Sequence, residues 1–283
     1  LKVAKFEKLR SILKDKVDII VAGVSSIGIE WFVNQISKNY KKNIPIILLT
    51  KGLAIEDNEL ITLSDKIKKL LKNQGQTEVN VSAIKGPCLA AGLANKMRTG
   101  TVIANPNIKE TEKLKKFIST DYYSTETSDD LTGVELAGAI KNIYSMLIGA
   151  SEGLSNSKAS KEIQSKYYLN TSASLIHRSI SEMVEFVSYY GGKTDTVYGL
   201  AGLGDLYVSA IGGRNSLMGK YLGEGYLYND AKEKFMKNIT VEGAQLALEI
   251  GPKILEELDQ KDFPLMFSML KTICENKKLE IKW

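Results

Sequence analysis

Lys51 directly follows the apolar run Ile-Pro-Ile-Ile-Leu-Leu-Thr (44–50) and precedes Gly52. Such a run predicts a buried strand, and open α/β sheets bind ligands beyond the carboxyl ends of their strands. Thr50-Lys51-Gly52 is therefore placed where an anion would be met, although a lysine merely reaching solvent after a strand would look the same. Lys141 lies among Leu136, Ala137, Gly138, Ala139, Ile140, Ile143, Met146, Leu147 and Ile148. Desolvation there disfavours the ammonium and lowers its pKa, which suits a lysine to acid–base work. Ala137 and Gly138, one turn earlier, are expected to leave room for a ligand beside the amine. The plainer alternative is a lysine snorkelling from the edge of a buried helix. A third cluster is Gly199-Leu-Ala-Gly-Leu-Gly-Asp205, followed by Gly212-Gly213-Arg214-Asn215. Asp205 could orient a lysine or accept a substrate hydroxyl. Arg214 and the exposed amides of a helix start would suit a phosphate. In the plainer reading Asp205 and Asn215 cap helices and the glycines make turns.

Composition removes other chemistries. The chain of 283 residues has one histidine, His177, and two cysteines, Cys88 and Cys274. Disulfide frameworks, zinc sites and Ser-His-Asp or Cys-His catalytic pairs are thereby disfavoured, and no metal is expected. Cys88 reads as a small buried residue rather than a reactive thiol, and His177 as structural. Net charge is +5, but lysine outnumbers arginine 34 to 4 and its runs alternate with apolar residues at helical spacing. That is the wet face of amphipathic helices, so no nucleic-acid partner is expected. The tract Val134–Leu154 is broken by Glu135, Lys141, Asn142 and Glu152, so no membrane span is expected either.

Stepping along the chain, residues 1–16 predict a short amphipathic helix. Val17–Val24, Ile44–Thr50, Val79–Ile84, Thr101–Ala104 and Tyr122–Thr127 predict strands, the first of them buried on both faces. Ile29–Tyr40, Leu60–Leu71 and Glu110–Ser119 predict helices between them. Alternation of this kind indicates βαβ units around a largely parallel sheet. Beyond Asp129 the pattern is helical: Val134–Glu152, Lys158–Tyr190, Ser216–Leu222, Val241–Leu258 and Phe263–Asn276, joined by glycine-bearing loops. The expected organisation is an α/β domain over 1–128, a partial Rossmann-like parallel sheet, followed by an all-α domain over 129–283.

Four segments then act together: Thr50-Lys51-Gly52-Leu53; Gly86-Pro87-Cys88-Leu89-Ala90; Gly133 through Lys141-Asn142; and Gly202-Leu-Gly-Asp205 with Gly213-Arg214-Asn215. In order and spacing they resemble the NAD(P)-dependent glycerol-3-phosphate dehydrogenases, and Val241-Glu242-Gly243 and Phe263-Pro264-Leu265 fit the same pattern. The resemblance spans nearly the whole chain. It implies an oxidoreductase interconverting sn-glycerol 3-phosphate and dihydroxyacetone phosphate by hydride transfer with NAD or NADP. Lys141 matches the family's acid–base lysine, Lys51 the second active-site lysine near substrate and nicotinamide, and Asp205 the aspartate that supports both. Arg214 and Asn215, after Gly213, match the pair that holds the substrate phosphate, with Arg214 also near the cofactor. Gly86 matches a substrate contact; Ala90 and Glu242 match cofactor contacts. A cytoplasmic homodimer acting on a small phosphorylated substrate is implied.

Two departures accompany the resemblance. The family usually carries Ser or Thr where Cys88 stands, and a thiol is the poorer donor to substrate. None of the 23 glycines falls in a G-x-G-x-x-G turn. The resemblance places Leu1 inside the dinucleotide domain, just before its fourth strand, so the expectation is that an upstream part exists. Val17–Val24 would otherwise be an apolar sheet edge, a liability that native proteins cover. A partner or swapped segment covering that edge is a further alternative. So is a truncated, non-catalytic relative serving as a binding or assembly module. Retention of Lys51, Lys141, Asp205, Arg214 and Asn215 favours the enzyme.

Overall fold

A computed structural model describes residues 3–14, 17–40, 44–156 and 161–282. The N-terminal part runs α1 (Leu9–Lys14), β1 (Ile20–Ala22), α2 (Ile29–Ile36), β2 (Ile46–Leu48), β3 (Leu53–Glu56), β4 (Glu59–Thr62), α3 (Leu63–Asn73), β5 (Val81–Lys85), α4 (Ala90–Ala94), β6 (Thr99–Ala104), α5 (Ile108–Ile118) and β7 (Tyr123–Ser128). Strands β1-β2-β5-β6-β7 form one sheet in that order, parallel throughout except that β6 runs antiparallel to β5. The remainder is helical: α6 (Leu131–Asn156), α7 (Lys161–Tyr189), α8 (Asp195–Tyr198), α9 (Asp205–Ile211), α10 (Arg214–Gly223), α11 (Tyr228–Phe235), α12 (Glu242–Glu257) and α13 (Pro264–Cys274). The α/β part followed by a helical part is the predicted fold class. The predicted helix start at Lys158 and the ends of the predicted 1–16 helix lie outside the described residues.

One face of the sheet is covered by α2 and α3, through Ile20, Ala22, Ile46, Leu48, Val81 and Ala83 against Ile29, Phe32, Val33, Ile67 and Leu71. The other face carries Ile47, Ile84 and Ile103 under Leu114 and Ile118 of α5. Beside β1, Ile19 packs on the same cluster, but Val21 is 54% exposed. In the described sheet β1 lies at the edge, and the burial on both faces that its composition predicts is found on one.

A second correction concerns residues 53–62. They form an antiparallel hairpin, not the start of a helix at Leu60. Asp57 and Asn58 both take positive φ, 52° and 64°, as a two-residue turn of type I′ requires. The Thr62 side chain accepts from the Asp65 amide and starts α3 three residues later than predicted. The hairpin packs on α12, and Leu53 belongs to the core of the helical part, so the chain is anchored just after Lys51. That core is built around α6, against which α7, α9, α10, α12 and α13 all pack.

Candidate active site

Lys51 projects from the link between β2 and the hairpin. Upstream, the Thr50 hydroxyl donates to the Val24 carbonyl at 2.6 Å. Downstream, Gly52 has φ +150°, and a Cβ there would stand 3.1 Å from Ser26 Cβ, so both conformation and space favour glycine. Lys141 comes from the middle of α6, and Asp205 from the first turn of α9. A π turn over Leu200–Gly204 leads into α9, and its Gly202 lies so close against Val197 that a Cβ would overlap the Val197 carbonyl. The glycine-rich segment is thus a tightly packed helical turn rather than an open loop.

These elements bring the two lysines onto one carboxylate. Lys141 Nζ donates to Asp205 Oδ1 at 2.8 Å, and Lys51 Nζ lies 2.5 Å from Asp205 Oδ2. Lys141 also donates to the Ser209 hydroxyl, one turn along α9. Lys141 is 2% exposed. Burial, then the neighbouring Lys51 ammonium, pull its pKa down to about 8 against the opposing pull of Asp205. The space beside Gly138, expected to admit a ligand, is filled from within the protein. A Cβ at Gly138 would stand 3.1 Å from Cγ and Cδ of Lys85, a buried lysine on β5.

Arg214 and Asn215 open α10, after Gly213 at φ +119°. Asn215 is buried and held at both ends of its amide: its Nδ2 donates to Asn142 Oδ1 at 2.9 Å, and its Oδ1 accepts from the Gly243 amide at 2.9 Å. Asn142 Nδ2 approaches Glu242 Oε2 at 3.4 Å, and Arg214 Nη2 donates to Glu242 Oε1 at 3.0 Å. Helix α10 reaches this position because it packs unusually close to α6. A Cβ at Gly149, Gly153, Gly219 or Gly223 would overlap the backbone of the facing helix.

Lys51, Lys141, Asp205, Gly213, Arg214 and Asn215 line one cavity of about 340 Å³, with Ala90 and Glu242 at its rim. That is the lower end of the range for small-ligand sites. Cys88 lines it as well, and burial raises its thiol pKa, so it faces the ligand space as a neutral thiol. Gly86 is not among the lining residues. Its φ is +136°, and a Cβ there would press on Thr101 and Gly100 of β6, so it shapes the turn that carries Cys88 to Ala90. The sequence reading missed Ser209, which no spacing distinguishes from other hydroxyls, and Lys85, hidden as the last residue of an apolar strand.

A second cavity, about 630 Å³, adjoins the first through Lys51, Ala90 and Glu242. It runs past the carboxyl ends of β1 and β2, over Gly23, Ser25, Ser26 and Gly52, to Gln245 and Glu249 on α12. Small residues at strand ends allow a flat ring to approach the backbone, and the position is where α/β sheets take nucleotides. The cavity therefore fits the nicotinamide end of a dinucleotide, and Lys51, Ala90 and Glu242 line both it and the lysine cavity. Among the described residues no group of His, Cys, Asp and Glu could hold a metal ion, and no helix is long and apolar enough to cross a membrane.

An α/β sheet with a nucleotide-sized cleft at its strand ends, opening onto two lysines held by one aspartate, defines a dehydrogenase-type architecture. Residues 3–111 match the sequence model of the NAD-dependent glycerol-3-phosphate dehydrogenase N-terminus, and residues 130–282 that of the C-terminus. The chain belongs to this family. It is 30% identical to the NADP(+)-dependent glycerol-3-phosphate dehydrogenase of Archaeoglobus fulgidus over 97% of this chain and 78% of that one. It is 32% identical to the glycerol-3-phosphate dehydrogenase [NAD(P)+] of Mesoplasma florum, over 90% and 73% of the two chains. The crystal structure of glycerol-3-phosphate dehydrogenase from Coxiella burnetii superposes with a TM-score of 0.76 at 26% identity, covering 95% of this chain and 76% of that one. The fold is also that of the Saccharomyces cerevisiae enzyme, TM-score 0.81 at 20% identity, over 96% and 75% of the two chains.

Proposed function

We propose that this chain interconverts sn-glycerol 3-phosphate and dihydroxyacetone phosphate with NAD or NADP. Residues 1–128 would serve the cofactor and 129–283 the substrate. The observation that carries the reading is the meeting of Lys51 and Lys141 on Asp205, in a cavity whose other wall presents Arg214. The nicotinamide supplies or accepts the hydride at C2 of the substrate. The protein's part is to handle the charge and proton on the C2 oxygen. Lys141, buried and lowered toward neutrality, gives that oxygen a proton in reduction and takes one in oxidation. The Lys51 ammonium stabilises the developing oxyanion beside it. Asp205 holds both amines in place, and the Ser209 hydroxyl occupies another of the Lys141 protons. Arg214 and the amides at the start of α10 meet the phosphate. Asn215, held by Asn142 and Gly243, joins them as a substrate contact. Gly86 remains assigned to the substrate side, through the turn it shapes; Ala90 and Glu242 remain assigned to the cofactor.

The same reading includes a cytoplasmic homodimer. Two unpaired cysteines suit a reducing compartment. Exposed Leu169, Tyr207 and Ile211, grouped around one surface hollow, suit a partner subunit. The test of function is oxidation of NADH or NADPH dependent on dihydroxyacetone phosphate, with Lys141→Met beside the unaltered protein. General acid–base magnitudes give a loss of at least ~10²-fold in turnover with the fold retained. Turnover within a factor of a few would remove Lys141 from the chemistry, and its absence from the unaltered full-length protein would favour a binding module.

A further inference from the structure

The chemistry above leaves one buried lysine unused. Lys85 ends β5 and is 2% exposed. Its ammonium donates to the Thr50 carbonyl at 2.8 Å and approaches the Leu48 carbonyl at 3.4 Å. Leu48 ends β2, and Thr50, two residues beyond it, is bonded directly to Lys51. The parallel register pairs Leu48 with Ala83, so Lys85, two residues further on the same face, reaches back over its neighbour strand.

Helix α6 is shaped around this side chain. Gly138 gives up a side chain where the Lys85 stem passes, since a Cβ would stand 3.1 Å from its Cγ and Cδ. One turn before, buried Glu135 provides an opposite charge that acts on Lys85; one turn after stands Lys141. Glu135 Oε1 accepts from the Ser64 amide at 3.2 Å, while Oε2 has no hydrogen-bond partner among the described residues. A buried ammonium at the end of a strand is a costly choice where an apolar side chain would pack as well. Desolvation shows that cost, lowering the Lys85 pKa to about 8. What the ammonium reaches is the pair of carbonyls that lead into Lys51.

We propose that Lys85 is a positioning residue, which holds the Thr50 and Leu48 carbonyls from inside the sheet and so fixes the strand end that delivers Lys51 to Asp205. Lys85 itself touches neither substrate nor cofactor. The proposal rests on the dehydrogenase reading.

The test is a double-mutant cycle on the full-length protein: Lys85→Met, Lys51→Met and the pair. Lys85→Met keeps length and removes the donor. If Lys85 works through Lys51, kcat should fall about tenfold or more in the native background and less than about twofold further once Lys51 is methionine. KM for NADH should shift in the same sense in the native background, since Thr50 and Lys51 also line that cleft, and little once Lys51 is methionine. If Lys51→Met leaves too little turnover to measure, the same cycle is read on the calorimetric Kd of glycerol 3-phosphate in the presence of NADH, with the same coupling expected. Should Lys85→Met not fold, Lys85→Gln takes its place, leaving a shorter neutral donor. Equal losses on both backgrounds, or native kcat in Lys85→Met, would overturn the proposal. An unaltered protein that neither turns over nor binds glycerol 3-phosphate overturns the dehydrogenase reading instead, and this proposal falls with it.

Discussion

A lysine can act as both acid and base near neutrality only where its ammonium is disfavoured, and at Lys141 burial does this first, with the Lys51 charge second. The sign of the pH dependence follows. Reduction of the ketone needs Lys141 protonated, so kcat/KM for dihydroxyacetone phosphate should be full on the acid side and fall as pH rises through about 8. Oxidation of glycerol 3-phosphate needs the neutral amine and should rise through the same region. Asp205 opposes the shift, so Asp205→Asn should move both limbs to lower pH as well as slow the reaction. Profiles measured in the two directions that share no inflection would argue against a single lysine serving both. In the proposed reading Arg214 is a different kind of group, a charge for binding. A charged hydrogen bond is worth ~1.5–3 kcal/mol, so Arg214→Ala should raise KM for dihydroxyacetone phosphate by about 10- to 100-fold. Dihydroxyacetone, lacking the phosphate, is the control, and its slow reduction should change little. Lys51, Lys141, Asp205, Arg214 and Asn215 were legible as residues because each charge or amide stands beside an apolar run or a glycine pair. Ser209 and Lys85 were not. A hydroxyl has no pattern of its own, and a lysine at a strand end normally means that the strand has reached water.

Residues are placed by elements, and here the close pairing of α6 and α10 sets the distance between Lys141 and Arg214. Gly149 and Gly153 on one helix, and Gly219 and Gly223 on the other, let the backbones meet. At Gly219 a Cβ would overlap the Met146 carbonyl. Gly219→Ala should therefore push α10 outward. Overpacking of this sort costs about 1–3 kcal/mol, visible as a lower denaturant midpoint. Because Arg214 and Asn215 open the displaced helix, KM for the phosphorylated substrate should rise more than KM for NADH. Equal changes in both would mean general loosening instead. The long helices and central strands were legible because their periodicity is set locally. The β3–β4 hairpin was not, since Leu53–Thr62 lacks the Asn-Gly or Asp-Gly pair that marks such turns, and Asp57-Asn58 took the left-handed conformation without it.

At the scale of the molecule, the two cavities meet at Glu242, the first residue of α12. Its Oε1 accepts from Arg214, and its Oε2 faces Asn142, which holds Asn215. Further along the same face of α12, Gln245 Nε2 donates to Glu249 Oε1 at 2.9 Å, and Glu249 accepts from Ser26 on the strand-end loop at 3.2 Å. One helix end thus touches Arg214, while its next turns touch the strand-end loop across the larger cavity. A dinucleotide that engages Glu242 must alter the Arg214–Glu242 pair and with it the freedom of Arg214 to meet phosphate. Free energy passed between two sites is reciprocal, and such couplings are typically about 5- to 150-fold in affinity. Titration of glycerol 3-phosphate with and without saturating NADH should show a change of at least about fivefold, and titration of NADH with and without glycerol 3-phosphate should show the same factor. In Glu242→Gln, which keeps the shape but loses the charge that holds Arg214, the factor should shrink toward one. Glycerol 3-phosphate should then bind almost equally with and without NADH. A coupling of unchanged size in Glu242→Gln would mean that the two cavities communicate through Lys51 and Asp205, the other chain of contacts between them.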